Sequence, residues 1–556
     1  MSHEPHLKRL ESLRFEFGSM AAEEKTRCLK ALQLTRLKNA DQVARLHDVL
    51  CFIQAWPDNR AVLSLAERML DGFDRRPDLR RHAEELTNTG IAGTSTHFSF
   101  YAATARWLAD RWPDRLHIDW EAFENAAVME RYLSLLASYS ETQGLDSVVM
   151  ELPDWIHRLK GVHETDALFV LRRLAALIPD EFLRDELYEE LDLPLILAHG
   201  PAVPTRTRAK YQKSPIVFQA VPLDRTRPAI ADEMHRSHKS RKPVSRAEGE
   251  HLVGLARSAM ITRERDLDAF AYADPNDVSL VNDDDLQFVL YGMTPQRRFL
   301  LETQYGFVVL KNGVPISYGT IVSLFASAEV AYTIFEAFRG GESARIYLRT
   351  LAMIHRVFGC DTFMIDPYQL GEDNPDALKS GAWWFYQKLG FRPRDKKLLR
   401  VMRQEVSAMK RQPRHRSSLA VLRQLATENV YLNVNQQRDD VVGELDLANV
   451  GLGITDLFAK RFGSDREQGE EVLAAEAALR LGSPSFRGWS ASEKLAWRRW
   501  SPLVALVNDV DRWPAADREA LVQVVRAKGG RRELDYLHRF NDHRRLRKAV
   551  VRLAQG

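Results

Sequence analysis

Apolar residues recur every three or four positions through most of the first 190 residues, a spacing typical of amphipathic helices. The spacing is clear at Leu46, Val49, Leu50 and Ile53, and proline-containing turns interrupt it. A similar spacing returns near the C-terminus, between glycine-containing breaks. The pattern therefore predicts an all-helical N-terminal domain at residues 1–191 and a helical C-terminal domain at residues 437–556.

The middle of the chain has a different pattern, in which runs of β-branched and aromatic residues predict strands. Asn312 and Gly313 separate two such runs and tolerate the positive φ angles of a tight hairpin. From residue 305 onward the predicted elements are strands Phe307–Leu310, Val314–Leu324 and Val330–Phe338, helix Glu342–Phe358, strand Thr362–Ile365, helix Asp376–Leu389 and strand Glu428–Val434. We expect the last strand to return and close the sheet.

The stretch before this hairpin gives weaker signals. Ile216–Pro222 is β-branched and aromatic and predicts an opening strand, and helices are predicted near Pro228–Ser240 and Arg246–Thr262. Residues 270–293 are acidic and predict an irregular segment. Their piece DPNDVSLVNDDD lacks the glycine and the glutamate of a calcium loop, so we expect no metal there. Asp283–Asp285 is either a solvated loop or a site that attracts a cationic amine.

These patterns divide the chain into four parts and predict an α+β fold. A proline-rich and basic stretch at residues 192–215 predicts a linker, because proline stops helices and clustered Lys and Arg favour solvent. Residues 216–436 then form a domain with a mixed sheet and helices. The helical N-terminal and C-terminal domains flank this domain.

Composition narrows the functional class. The 556 residues carry a formal charge of +3, so no global field favours nucleic acid, and basic stretches such as Lys410–Ser418 predict a linker or a solvated helix face. We expect no nucleic-acid partner. Three cysteines without paired spacing, no apolar leader and no apolar run of about 20 residues predict a cytoplasmic protein without a membrane segment.

The turn at Arg339-Gly340-Gly341 is a candidate anion site. The glycines allow a ligand close to the backbone, and the predicted helix that follows begins with unpaired N–H groups and a positive dipole end. A phosphate or pyrophosphate would fit there, with Arg339 as a further positive group. The alternative is a strand-to-helix turn without a ligand, because glycine is common in such turns.

The residues of this stretch resemble the GNAT superfamily of acyl-CoA-dependent N-acyltransferases. RGGESA, residues 339–344, is similar to the pyrophosphate loop of that family, and AWWFYQKLGF, residues 382–391, is similar to its A-x-x-x-Tyr-x-x-x-Gly-Phe motif. The predicted order of hairpin, strand, glycine-rich turn, helix, strand and helix also matches the acyl-CoA-binding core of the family. The resemblance covers Ile216 to Arg394, and extends to Val434 if the last strand is included.

The resemblance implies a reaction and a set of site residues. Acetyl-CoA or another acyl-CoA is the expected cosubstrate, and an amine on a small molecule or protein is the acceptor. Tyr386 matches the tyrosine that protonates the departing CoA thiolate, and Glu336 lies where many members place a general base. Asp366 is a weaker candidate base, and His355 is assigned to packing. The residues expected at the pyrophosphate are Arg339, Gly340, Gly341, Glu342, Ser343, Ala344 and Arg345.

The sequence departs from the family pattern at two positions. Glu342 replaces the glycine expected in the loop, and Lys379 replaces a frequent asparagine seven residues before the tyrosine. Two hypotheses follow. The first is an acyltransferase that moves an acyl group, expected to be acetyl, from acyl-CoA to an amine acceptor. The alternative is a catalytically degenerate GNAT-fold scaffold that binds a protein partner through its helical domains.

Overall fold

A computed structural model describes residues 4–223, 229–235 and 240–556. The protein is a mixed α+β molecule with one large mixed sheet. None of the helices in these residues is long and apolar enough to cross a membrane.

The N-terminal part is mainly helical but is not all-helical as predicted. Three short strands, β1 (Thr96–Ser99), β2 (Leu116–Ile118) and β3 (Pro194–Leu197), form an antiparallel sheet in the order β1-β3-β2. β3 lies in the predicted linker. Its helices are α1 (Glu4–Ser12), α2 (Ser19–Gln33), α3 (Ala40–Ala55), α4 (Arg60–Asp71), α5 (Pro77–Arg81), α6 (Ala102–Arg111), α7 (Ala126–Arg131), α8 (Leu133–Leu136), α9 (Thr142–Ser147), α10 (Leu152–Leu159), α11 (Asp166–Leu177) and α12 (Glu181–Leu191).

The small sheet gives a structural role to His97 and to part of the predicted linker. His97 lies on β1 in the glycine- and threonine-rich segment Asn88–Phe100, and its Nδ1 atom is 2.8 Å from Asp119 Oδ2. The apolar side chains of β3 are buried in a separate core with those of α6 and α11. The periodicity of the flanking helices hid these strands, because each strand has only three or four residues.

The middle part contains the large sheet. Its elements are α13 (Ile230–His235), β4 (Ser240–Pro243), α14 (Arg246–Ile261), α15 (Asp268–Ala271), β5 (Ala273–Asp283), β6 (Leu286–Met293), β7 (Thr303–Lys311), β8 (Val314–Leu324), β9 (Ser327–Ile334), α16 (Ser343–Phe358), β10 (Thr362–Ile365), α17 (Pro367–Leu370), α18 (Pro375–Ser380), α19 (Ala382–Lys388), β11 (Arg392–Pro393), α20 (Lys396–Arg411), α21 (Leu419–Leu425) and β12 (Val430–Asn433).

The nine strands lie in the order β11-β12-β10-β9-β8-β7-β6-β5-β4. β9 and β10 run parallel, and every other neighbouring pair in this sheet is antiparallel. The hairpin at Asn312-Gly313 is confirmed, since both residues have positive φ angles, 51° and 81°. The predicted strand at Glu428–Val434 is also confirmed, because β12 lies between β10 and β11.

Three predictions in the middle part are wrong, and the end of the predicted strand Val330–Phe338 is a 3-10 helix. Ile216–Pro222 forms no strand, because its backbone N–H groups donate to a side chain and to a loop and not to a neighbouring strand. Val217 N donates to Asn312 Oδ1 at 2.7 Å, and Gln219 N donates to Pro57 O at 2.8 Å. The acidic stretch predicted to be irregular is the long hairpin β5–β6. The predicted helix Asp376–Leu389 is two helices, because Gly381 between them has a φ of 67°. Pro228 lies outside the described residues.

The C-terminal part, residues 437–556, contains α22 (Ala448–Arg461), α23 (Arg466–Arg480), α24 (Ala491–Leu506), α25 (Ala515–Lys528), α26 (Glu533–Asp542) and α27 (Arg544–Gln555). Its core includes Leu324 and Phe325 from the end of β8, so these helices pack on the sheet. The core of the large sheet in turn includes residues of the N-terminal helices and of the turns between and after them, from Leu7 to Ile91. Helices of both the N-terminal and the C-terminal part therefore pack against the large sheet.

Short 3-10 helices connect several of these elements. They are Leu13–Phe15, Phe73–Arg75, Pro113–Arg115, Tyr139–Glu141, Pro295–Arg297, Glu336–Phe338 and Val510–Arg512.

Candidate active site

The glycine-rich turn lies between β9 and α16. Gly340 has a φ of 83°, which favours glycine, and Gly340 and Arg339 are exposed. α16 is a 16-residue helix without a side-chain cap at its N-terminus, so its first N–H groups have no partner from the N-cap residue. One side of this turn is therefore open to an anion.

The other side of the turn is packed against apolar side chains. A Cβ atom on Gly341 would lie 3.3 Å from Leu223 Cδ1, and one on Gly340 would lie 3.5 Å from Phe15 Cζ. Phe15 comes from the N-terminal helical part. The absence of side chains at 340 and 341 thus serves packing as well as any ligand.

Glu342 explains the departure from the family loop. Its side chain is buried and accepts a hydrogen bond of 3.1 Å from Trp56 Nε1, at the end of α3. Lys311 Nζ lies 3.7 Å from the same carboxylate, and Arg345 forms an ion pair with it. The Glu342 charge is therefore neutralised inside the junction with the N-terminal helices and does not cap α16.

β9 and β10 separate before β9 reaches the 3-10 helix and this turn. They pair at Ser327, Ala328 and Glu329 of β9, and β10 ends one residue after the partner of Glu329. β9 continues beside β8 to Ile334. Within the described residues, no strand pairs with Val330–Ile334 on the β10 side. A strand edge of this kind presents backbone N–H and C=O groups to an extended ligand.

Three buried tyrosines line one face of the sheet beside this opening. The rings of Tyr332 on β9 and Tyr347 on α16 are 4.8 Å apart, and those of Tyr347 and Tyr386 on α19 are 5.7 Å apart. Burial raises the pKa of all three phenols above the ordinary value of 10, so each stays protonated at neutral pH. Tyr386 therefore keeps its proton at neutral pH, and the raised pKa makes it a weaker acid than a free phenol.

Two of the three hydroxyls in this cluster have no hydrogen-bond partner in the part of the chain that the structure describes. The Tyr332 and Tyr347 hydroxyls are buried without a hydrogen bond among the described residues. Ser317 Oγ lies near the Tyr332 hydroxyl, but the two atoms do not have hydrogen-bond geometry. Buried polar groups are nearly always hydrogen-bonded in folded proteins, so this cluster is a place where water or a ligand atom would bind.

Glu329 lies on the opposite face of the sheet, because side chains alternate along a strand and Tyr332 is three residues away. Its carboxylate has no hydrogen-bond or ion-pair partner in the described part of the chain. Burial and, to a lesser extent, the carboxylates of Asp366 and Glu302 raise the pKa of Glu329 to about 7. A base with a pKa near the working pH is effective in proton transfer.

Sequence analysis missed Glu329. A single glutamate in the strand SAEVAYTI is indistinguishable from an outward-facing residue on an exposed sheet. Its burial depends on what covers that face, which the strand pattern does not contain. The available signal was its position at the start of the strand before the glycine turn.

The structure places the predicted bases in different settings. Glu336 is exposed in the 3-10 helix Glu336–Phe338, after the end of β9, and not on a strand as predicted. Asp366 accepts a hydrogen bond of 2.8 Å from Tyr368 N and caps α17. His355 Nδ1 lies 2.6 Å from the Cys360 carbonyl oxygen, within hydrogen-bond distance.

Asp283–Asp285 holds a cation of the protein itself. Arg349 on α16 is buried and contacts all three carboxylates, at 3.5, 3.0 and 2.8 Å. Although burial acts in the opposite direction, Lys311 and Arg349 lower the pKa of Asp285. These aspartates anchor α16 to the β5–β6 hairpin, and their arrangement gives no support to an amine site.

No metal site is found in the described residues, where no group of three or more His, Cys, Asp or Glu side chains could hold an ion. The predicted calcium-like segment forms β5 and the turn after it. All three cysteines are unpaired and buried.

No family model, no curated protein and no solved structure matches the chain. The function therefore has to be inferred from the geometry of the site.

Proposed function

We propose that the protein is an acyl-CoA-dependent N-acyltransferase that transfers an acetyl or other acyl group to an amine. The observation that carries the proposal is the pair of ionisable groups at the opening between β9 and β10. Glu329, unpaired and with a pKa near neutrality, lies on one face of the sheet, and the buried phenol of Tyr386 belongs to the cluster on the other.

The reaction would proceed by direct attack. Glu329, directly or through water, accepts a proton from the acceptor ammonium, and the amine nitrogen forms a bond to the thioester carbonyl carbon. Backbone N–H groups at the open edge of β9 stabilise the negative charge on the carbonyl oxygen. The carbon–sulfur bond then breaks with its electron pair on sulfur as the carbonyl re-forms. Tyr386 protonates the thiolate, and the proton left on the new amide nitrogen passes through water to the Tyr386 phenolate.

Residues 339–345 would hold the pyrophosphate of acyl-CoA. The exposed Arg339 and the uncapped N-terminus of α16 supply positive potential, and Arg345 compensates the Glu342 charge. Under this proposal, residues 216–436 are a GNAT-like domain and the two helical parts flank it in a cytoplasmic protein. The element order hairpin, strand, turn, helix, strand and helix supports this assignment.

The base is assigned to Glu329 in preference to the exposed Glu336, because Glu329 combines partial burial, a raised pKa and an adjacent opening. Comparing the acetyl-transfer rates of Glu329→Gln and Glu336→Gln decides which of the two glutamates is the base. We expect a loss of kcat of about a hundredfold or more in Glu329→Gln only. The reverse result would return the assignment to Glu336.

Acetyl-CoA binding is the direct test. Isothermal titration of the full chain should show binding that Gly341→Glu abolishes, because the new carboxylate would lie beside the pyrophosphate. Gly451→Glu, at an exposed helical position with no atom within 4 Å, is the matched control. Absence of binding at millimolar acetyl-CoA, or unchanged binding in Gly341→Glu, would contradict the proposal.

A scaffold without catalysis is the second candidate. The burial of Glu342 against Trp56, together with Phe15 and Leu223 against the turn, shows that this loop is built into the junction with the N-terminal helices. A scaffold would release no CoA thiol with any amine tested and would co-purify with a stoichiometric protein partner.

A further inference from the structure

An apolar groove of about 620 Å³ lies in the N-terminal part, between α7–α8 on one side and α11 and α12 on the other. Its lining includes Met129, Leu136, Val170, Leu174 and Leu187. Every residue of the lining except Glu190 is an apolar or aromatic side chain. The groove is far in sequence from the candidate active site and does not depend on the function proposed above.

Large apolar side chains around this groove remain in solvent. Tyr132 and Leu135 are 54% and 57% exposed, and Leu177 and Leu187 are 43% and 44% exposed. Soluble proteins seldom leave such residues clustered, and contiguous apolar patches usually mark binding surfaces. The clustering indicates that another molecule covers this surface.

The charge of the surrounding segment selects the partner. Residues 130–191 contain thirteen Asp and Glu against six Lys and Arg, a net charge of −7, whereas the whole chain is +3. Arg106 and Arg297 from outside this segment pair with its carboxylates, and the segment together with these two cations carries −5. Glu190 lines the groove and Glu130 adjoins Met129, and both are exposed. In the described structure neither carboxylate has an ion-pair partner. This field attracts a cationic partner and repels an anionic lipid surface.

We propose that the groove binds a basic amphipathic helix of a partner protein. Apolar residues of that helix, spaced at three and four, would fill the groove, and its Lys and Arg would lie against Glu130 and Glu190. α11 and α12 have 12 and 11 residues, which at 1.5 Å per residue gives walls about 17 Å long. The groove therefore accommodates about three turns of the partner helix.

Two synthetic peptides test the charge requirement. The first is an 18-residue helix with leucine on one face and lysine on the other. The second, a control peptide of the same length, carries glutamate in place of lysine. Fluorescence anisotropy with the full chain should show at least tenfold tighter binding of the lysine peptide, weakened as NaCl is raised from about 50 to 300 mM. Equal binding of both peptides would overturn the proposal.

Surface variants locate the binding. Leu135→Glu and Leu187→Glu should each weaken the lysine peptide at least tenfold, and Glu190→Lys should weaken it by a smaller factor. Leu479→Glu is the matched control, because Leu479 is 72% exposed on a helix of the C-terminal part. Unchanged affinity in Leu135→Glu would overturn the proposal. Binding of neutral lipid vesicles in place of the peptide, abolished in Leu135→Glu, would also overturn it by assigning the groove to a lipid.

Discussion

At the scale of single residues, the tyrosine cluster separates a chemical role from a packing role. Tyr386→Phe keeps the ring contacts with Tyr347 and Phe391 and removes only the hydroxyl. We expect kcat for acyl transfer to fall by about a hundredfold or more, because the departing thiolate loses its proton donor. Acetyl-CoA affinity should be unchanged. Release of CoA thiol and isothermal titration measure the two effects.

Tyr347→Phe is the control for this substitution. It removes a buried hydroxyl that has no partner among the described residues, so the free energy of unfolding should stay constant or rise. Urea denaturation measures it. A large loss of stability in Tyr347→Phe would show that its hydroxyl binds an ordered water, and a normal kcat in Tyr386→Phe would exclude Tyr386 as the acid.

The pKa of Glu329 makes a prediction about stability. The pKa of Glu329 is raised from the 4.5 of a free glutamate to about 7 in the folded protein, so between these pH values the folded state binds more protons than the unfolded state. Stability therefore falls as pH rises from about 4.5 to 7. Glu329→Gln should be more stable than the wild type at pH 8, by at most about 3 kcal/mol.

Urea denaturation of both proteins at pH 5 and pH 8 checks this sign. The free energy of unfolding of Glu329→Gln should exceed that of the wild type by little at pH 5 and by the full difference at pH 8. An advantage that is the same at both pH values would mean that the Glu329 pKa is not raised. In the wild type, kcat/KM for acetyl transfer should rise with a midpoint near pH 7, since the base acts only when deprotonated.

At the scale of elements, the β7–β8 hairpin depends on one glycine. Gly313 has a φ of 81°, and a Cβ atom there would lie 2.3 Å from the Tyr211 carbonyl oxygen. Gly313→Ala should therefore lower the free energy of unfolding by more than 1 kcal/mol. Gly144→Ala, in a helix with no atom within 4 Å, should be neutral or slightly stabilising. Equal effects in a thermal melt would contradict this reasoning.

Local chemistry explains which elements were predictable. The hairpin at Asn312-Gly313, the helix after Gly341 and the strand Thr362–Ile365 follow from neighbouring residues, and the structure confirms them. The β5–β6 hairpin could not be predicted in this way, because a run of acidic residues is typical of a solvated loop unless other residues supply hydrogen bonds or positive charge to them. Asp277 is satisfied by Tyr305, whose hydroxyl donates to it at 2.7 Å, and by Arg298 nearby. These partners come from other strands and loops.

The contact between α3 and α16 gives another test at this scale. Trp56→Phe removes the N–H that donates to the buried Glu342 carboxylate. Stability should fall by about 1.5 to 3 kcal/mol, because a hydrogen bond to a charged group is lost. A double-mutant cycle with Glu342→Gln, measured by urea denaturation, should give a coupling of at least about 0.5 kcal/mol. A coupling near zero would mean that the two side chains act independently.

At the scale of the whole molecule, the candidate site depends on distant parts of the chain. Trp56 and Glu342 are 286 positions apart, and nothing near either residue indicates the other. Sequence analysis could therefore identify the turn and Tyr386 from local motifs, and the structure confirms the turn. It could not identify the burial of Glu342 or the raised pKa of Glu329, because both are set by neighbours from other segments.

Arg298 connects the sheet to the C-terminal helices through a buried set of contacts. It lies in the loop between β6 and β7, and its Nη1 atom donates to the carbonyls of Lys528 and Gly530, each at 2.7 Å. Its guanidinium also lies 3.7 Å from the buried Asp277, whose pKa burial raises to about 6. This one side chain satisfies acceptors on both sides of the interface.

Removing that side chain should uncouple the two parts. Arg298→Met removes the positive charge beside the buried Asp277 carboxylate and leaves two carbonyls without their donor, which costs about 3 to 5 kcal/mol. Because the loss falls at the interface, we expect calorimetry to resolve a first transition for residues 437–556 below the main one, and hydrogen exchange to rise there first. Arg512→Met, at an exposed position, is the control and should melt like the wild type. A single transition at lower temperature in Arg298→Met would show that the helices and the sheet unfold as one unit.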